Sequence, residues 1–125
     1  MGLPKINRLH RRDFQVVYQQ GFSRHSSHLK LKALPARGNA GIEEGQQLPA
    51  SQFGITISRK ISKKAVARNR VKRQLRAALR QLLPQIPRGW KMIFVVKPRA
   101  TECKYEHFLR ELEQLLSQAE AIDGH

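Results

Sequence analysis

Apolar residues recur along the chain with two different periods, and the switches between them mark out the elements. Phe14, Val17 and Tyr18, with Leu9 just ahead, share one face of a helix over Arg11–Gln20, and Gly21 supplies a stop. His28–Pro35 alternates apolar and polar residues, as a half-exposed strand does. The stretch Ser23–His28 just before it leaves room for a short extra strand. Ala36–Ala50, rich in Gly, Pro and polar residues, reads as a mobile loop. Gln52–Ser58 is a further strand, with Phe53, Ile55 and Ile57 on one face and Gly54 and Thr56 on the other. Ser62 is the expected N-cap of a long helix over about Lys63–Leu83, ended by Pro84. Lys91–Lys97 is a continuous apolar run between charges, the pattern of a buried strand. A last helix follows from Glu102 to about Ala119, with Phe108, Leu112, Leu115, Leu116 and Ala119 turned inward. The pattern predicts one domain over residues 1–119 with a flexible tail at 120–125.

Charge changes this picture more than composition does. The chain has 125 residues, with 24 Lys and Arg against 9 Asp and Glu, a formal charge of +15. No acid occurs between Gly45 and Ala100, a stretch that carries 14 basic residues. Such a lopsided distribution opposes its own compaction unless an anion neutralises it, so a polyanionic partner is expected. No apolar run approaches the length of a membrane span, and the N-terminus lacks the apolar middle of a secretory signal. A small soluble cytoplasmic protein is expected.

The basic residues concentrate on the long helix. Ala67, Val71, Leu75, Ala78, Leu79 and Leu82 form one stripe, while Arg70, Lys72, Arg73, Arg76 and Arg80 spread over the opposite side with Asn69 among them. A surface helix laced by i, i+4 salt bridges would need acids, and this segment has none. Guanidinium groups suit phosphate oxygens and also stack on bases. Lys60, Lys63 and Lys64 extend the array past the helix start, where backbone N–H groups add positive charge.

The same sequence offers no self-contained active site. A two-metal nuclease needs converging carboxylates, and the basic stretch supplies none. Glu102, Glu106, Glu113 and Glu120 follow helical spacing and read as a solvated face. His25 and His28 have the spacing of two metal ligands but lack a third, so they read as surface histidines. Cys103, the single cysteine, excludes an internal disulfide and reads as a residue at a helix start. No catalytic residue and no metal ligand is expected in the protein itself.

The segment Ser58–Arg76, SRKISKKAVARNRVKRQLR, resembles the signature of the bacterial ribonuclease P protein family. A strand ending in basic residues leads into a helix bearing Arg68-Asn69-Arg70 and then Lys72-Arg73. The resemblance runs outward over nearly the whole chain, through Asn7–Gly21, the strand FGITISRK and the strand KMIFVVKPRA. It implies an α+β fold, a two-layer α/β sandwich of a four-stranded sheet and three helices in the order αβββαβα. That fold is ribosomal-protein-like, with a left-handed βαβ crossover that the usual handedness rule would not give.

The resemblance also implies a function. The family's protein is the subunit of ribonuclease P, an endoribonuclease that removes the 5′ leader of precursor tRNA. Its partner RNA subunit performs the hydrolysis with Mg²⁺ held by the RNA, and the protein is expected to be monomeric in the holoenzyme. By position, Arg59, Lys60, Lys64, Arg68, Asn69, Arg70, Lys72, Arg73 and Arg76 are expected to dock on the catalytic RNA. Phe14 and Tyr18 match first-helix aromatics of the family that line a cleft for the single-stranded leader; simple core packing at i, i+4 is the other reading of that pair. Lys32 stands where some members carry an aromatic, which favours a phosphate contact there. Two other classes stay open on composition: a ribosomal or chaperone-like RNA binder unconnected with cleavage, and a protein-only nuclease, against which the carboxylate shortage speaks.

Overall fold

A computed structural model describes residues 3–35, 48–58, 60, 63–119 and 121. Among these residues there are three α-helices, α1 (Arg11–Gln20), α2 (Ala65–Leu82) and α3 (Tyr105–Gln118). Four strands, β1 (Phe22–His25), β2 (Leu29–Pro35), β3 (Gln52–Thr56) and β4 (Trp90–Val96), form one mixed sheet in the order β1-β2-β4-β3. β1 pairs β2 and β2 pairs β4 antiparallel, while β3 and β4, joined through α2, run parallel. The element order is the expected αβββαβα.

Strand alternation separates the two faces of the sheet. Leu29, Leu31 and Ala33 of β2 share the main core with Phe53, Met92, Phe94 and Val96, and with the inner stripes of α2 and α3. The five buried residues of α2, Val71, Leu75, Ala78, Leu79 and Leu82, all belong to the stripe read from the sequence. On the other face, register places Lys32 beside Ile93 and Lys30 beside Val95. Helix α1 covers part of this face, packing Leu9, Val17 and Ile93 into a smaller cluster that Phe14 and Val16 border. Ile93 is fully buried although it points away from the main core, which is why β4 reads as continuously apolar.

Several boundaries differ from the sequence reading for local reasons. Gly21 stops α1, yet its φ is −76°, so no left-handed turn asks for glycine. Close approach does: a Cβ there would lie 2.5 Å from the Val17 carbonyl oxygen and 2.9 Å from that of Ala33. The N-cap of α2 is Lys64, without a side-chain cap; the expected cap, Ser62, lies outside the described residues. The last helix begins at Tyr105, three residues later than expected, because a 3-10 turn over Ala100–Glu102 precedes it. Arg99 enters that turn at φ 74°.

At the other end, Ala121 is buried and donates its N–H to the Leu116 carbonyl at 2.9 Å, so core contacts run past Ala119. Residues 36–47 of the expected loop lie outside the described residues. Leu48 and Pro49 accept hydrogen bonds from Arg88 Nε and the Gly89 N–H, at 2.7 and 2.8 Å.

Glu111, on the inner side of α3, was not singled out by helical spacing. Its Oε1 accepts the Ser26 hydroxyl at 2.5 Å and the His28 N–H at 2.8 Å, and its Oε2 lies 2.6 Å from His28 Nδ1. Burial pushes this carboxyl upward in pKa, but the bonds from Ser26 and His28 outweigh it and leave it below its ordinary value. The carboxylate thereby closes the β1–β2 turn onto α3.

Candidate nucleic-acid interface

The outer side of α2 is a cationic surface. Asn69, Arg70, Arg73, Arg76 and Arg80 are exposed, and Arg68 and Lys72 are half-buried at its borders. Lys60 and Lys64 continue it beyond the helix start as exposed residues, and Arg59 lies outside the described residues. The helix has no acid in its first turn. Lysines at this end oppose the helix dipole, whose positive pole they adjoin, so the arrangement gains from an external anion. Lys72, Arg73 and Arg76 have no hydrogen-bond or ion-pair partner among the described residues.

Arg70 differs from its neighbours. One of its guanidinium nitrogens donates to the Thr101 carbonyl at 2.5 Å, tying α2 to the 3-10 turn that Arg99 opens. The remaining N–H groups of a five-donor side chain stay available, in an orientation fixed by that anchor. No local pattern announces this bond, since the two residues are 31 positions apart.

The second surface lies between α1 and the open face of the sheet. Phe14 is half-buried, and its ring stands directly over Gly54 of β3: a Cβ on Gly54 would fall 2.4 Å from Phe14 Cζ. Both readings of Phe14 therefore hold, because one side of the ring borders the Leu9–Val17–Ile93 cluster while the residue also lines a cavity of about 350 Å³. Arg8, Arg11 and Arg76 line the same cavity and bring no acid with them. Arg76, expected on the catalytic-RNA side, thus shares a cavity with Phe14, expected on the leader side. Arg8 and Arg11 were not singled out in the sequence, although their positions just before and at the start of α1 were visible there.

Tyr18 lies one turn beyond Phe14 and is 41% exposed, as a wet-edge aromatic would be. Lys32 is half-buried on the same sheet face as Ile93, paired in register with Ser23 of β1. Neither lines the Phe14 cavity. A second cavity, of about 380 Å³, lies on the other flank of α1 against Trp90 and Gln52. Asp13 and Lys91 pair there at 3.4 Å beside Arg12, so its wall carries an acid, unlike the arginine-lined cavity.

Comparison with known proteins identifies this arrangement. The Ribonuclease P family model matches residues 3–120. The ribonuclease P protein component of Microcystis aeruginosa is 54% identical over the full length of both chains. Its counterpart in a Synechocystis species is 50% identical, over 100% of this chain and 95% of that one. Among solved structures, the RNase P protein of Thermotoga maritima superposes with a TM-score of 0.72 at 25% identity, covering 94% of this chain and 98% of that one. The Staphylococcus aureus RNase P protein gives 0.75 at 23% identity, over 95% and 100%, and that likeness shows the fold alone. With full-length relatives at about half identity, the same αβββαβα fold and a cationic α2 carrying Arg68-Asn69-Arg70, the chain belongs to the ribonuclease P protein component family.

Proposed function

We propose that this protein is the RNA-binding subunit of a ribonuclease P holoenzyme and that the hydrolytic chemistry belongs to the partner RNA. The outer face of α2, from Lys60 and Lys64 through Arg68, Asn69, Arg70, Lys72, Arg73 and Arg76, neutralises phosphates of the catalytic RNA; Arg59 belongs to the same basic run. The cleft between α1 and the sheet holds the single-stranded 5′ leader of precursor tRNA. There Phe14 and Tyr18 offer stacking surfaces that accept any base, and Lys32 contacts a phosphate. Mg²⁺ held by the RNA would supply the metal chemistry of the cleavage. The protein contributes affinity and position, as a monomer in a cytoplasmic ribonucleoprotein. The observation that carries this reading is the cationic face of α2, where Lys72, Arg73 and Arg76 lack a partner among the described residues and Arg76 reaches the cavity that Phe14 lines.

The leader half of the proposal is tested by comparing holoenzyme affinity for precursor and mature tRNA. Phe14→Ala and Tyr18→Ala are expected to reduce the preference for precursor by about 1–3 kcal/mol for each base no longer stacked, while assembly with the catalytic RNA stays intact. Equal loss of assembly and of leader preference would contradict a separate leader cleft.

A further inference from the structure

Beneath the β1–β2 turn, three different donor atoms converge from three elements. The turn supplies His28, the extended residue after the 3-10 turn supplies Cys103, and the middle of α3 supplies Glu111. Their nitrogen, sulfur and oxygen atoms all lie within 4.8 Å of one another. His25, the other half of the spacing seen in the sequence, is not among them. Cys103 is 7% exposed and Glu111 9%. The Glu111 clasp on Ser26 and His28 joins the carboxylate and the imidazole but does not engage the thiol. The Cys103 thiol forms no disulfide and has no hydrogen-bond partner among the described residues. Burial, followed by the charges of Glu111 and Glu102, holds its pKa above the ordinary thiol value. Cys103 belongs to the main core cluster, and a buried thiol beside a carboxylate and an imidazole is a ready donor set for a cation that displaces its proton.

We propose that His28 Nδ1, Cys103 Sγ and Glu111 Oε2 form a binding site for a zinc-class divalent cation, with water as the fourth ligand. The mixed nitrogen, sulfur and oxygen set suits a borderline-soft ion with tetrahedral preference and disfavours Mg²⁺, which takes oxygen ligands in octahedral geometry. His28 Nδ1 and Glu111 Oε2 stand 2.6 Å apart. Tetrahedral coordination, with bonds of about 2.0–2.1 Å to each, sets them about 3.3 Å apart. The pair therefore opens by about 0.7 Å as the ion enters. On binding, the thiol proton passes to solvent as the sulfur–metal bond forms, and the imidazole keeps its single proton on Nε2 instead of Nδ1. Glu111 Oε1 retains the Ser26 hydroxyl and the His28 N–H, bonds that orient the ligating carboxylate. The site ties the β1–β2 turn, the entry to α3 and α3 itself together, on the side of the sheet away from α1.

The experiment is a Co²⁺ titration of the metal-free, full-length protein followed by absorption. Because the chain has one cysteine, a near-ultraviolet sulfur-to-cobalt charge-transfer band can arise from Cys103 alone. The expected result is that band together with the visible absorption of a four-coordinate ion. Both saturate at one equivalent, are bleached by stoichiometric Zn²⁺ and are insensitive to millimolar Mg²⁺. Cys103→Ser is expected to abolish the charge-transfer band, and His28→Gln to weaken Co²⁺ binding by about tenfold or more. Circular dichroism of both variants verifies folding, and His28→Gln, at a half-exposed turn residue, carries the test independently of the buried cysteine. A folded native protein that shows no charge-transfer band overturns the proposal. So does a band of unchanged affinity in His28→Gln.

Discussion

Replacing Gly54 with alanine isolates the contact that sets the floor of the α1 cleft. The added Cβ lies 2.4 Å from Phe14 Cζ and 3.1 Å from Cε1 and Cε2, against a carbon–carbon optimum of about 3.5–4.0 Å. The ring must retreat by about 1 Å or more to restore that separation, and the Leu9–Val17–Ile93 cluster on which it borders resists the movement. Overpacking of this kind costs about 1–3 kcal/mol. Restricting the unfolded chain returns about 0.5 kcal/mol, because the backbone at Gly54 is not in the left-handed region. A net loss of about 1–2 kcal/mol is expected for Gly54→Ala. In a Phe14→Ala background the obstructing ring is gone, and the same substitution is expected to be neutral or to stabilise by about 0.5 kcal/mol. A double-mutant cycle by urea unfolding, with the slope against denaturant unchanged among the four proteins, measures this coupling. Equal cost of Gly54→Ala in both backgrounds would refute the claim that the Phe14 ring rests on β3.

Three further outcomes follow from the same geometry. Gly21→Ala is expected to cost about 3 kcal/mol or more in thermal or urea unfolding, exceeding Gly54→Ala, because its Cβ meets the backbone oxygens of Val17 and Ala33 rather than a mobile ring. A smaller loss than at Gly54 would contradict that ranking. Arg73→Ala with Arg76→Ala is expected to weaken binding to the catalytic RNA. It should also flatten log affinity against log salt by about 0.7–0.9 for each phosphate no longer neutralised; an unchanged slope would place these side chains off the RNA. Glu111→Leu removes the acceptor for the Ser26 hydroxyl and the His28 N–H, and is expected to destabilise the protein by about 2–3 kcal/mol and speed amide exchange at His28; native exchange there would show that the turn closes without the carboxylate.

How much of this was legible in the sequence depended on whether the signal was local. The stripe of α2, the bounds of α1 and the alternation of β2 follow from side-chain periodicity, which the residues display directly, and all three stand in the structure. The cationic side of α2 was readable for the same reason: once the apolar stripe is buried, the remaining positions face outward. The start of α3 was misplaced because Arg99 adopts a left-handed conformation, which its sequence context does not announce. Pairings between distant segments were invisible. The Arg70 bond to the Thr101 carbonyl, the seat of Phe14 over Gly54, and the meeting of His28, Cys103 and Glu111 all depend on how elements pack. Glu111 illustrates the limit: it stood outside the acids read as a solvated face, and nothing local showed that the β1–β2 turn would donate to it.

The division of labour between the protein and its RNA is tested most directly by cleavage of precursor tRNA in a reconstitution at low Mg²⁺. The native protein alone is expected to leave the substrate intact. The cognate RNA is expected to release the 5′ leader efficiently when the native protein is added, and far less so with the Arg73→Ala, Arg76→Ala variant. Cleavage by the isolated protein, or full stimulation by that variant, would contradict the account.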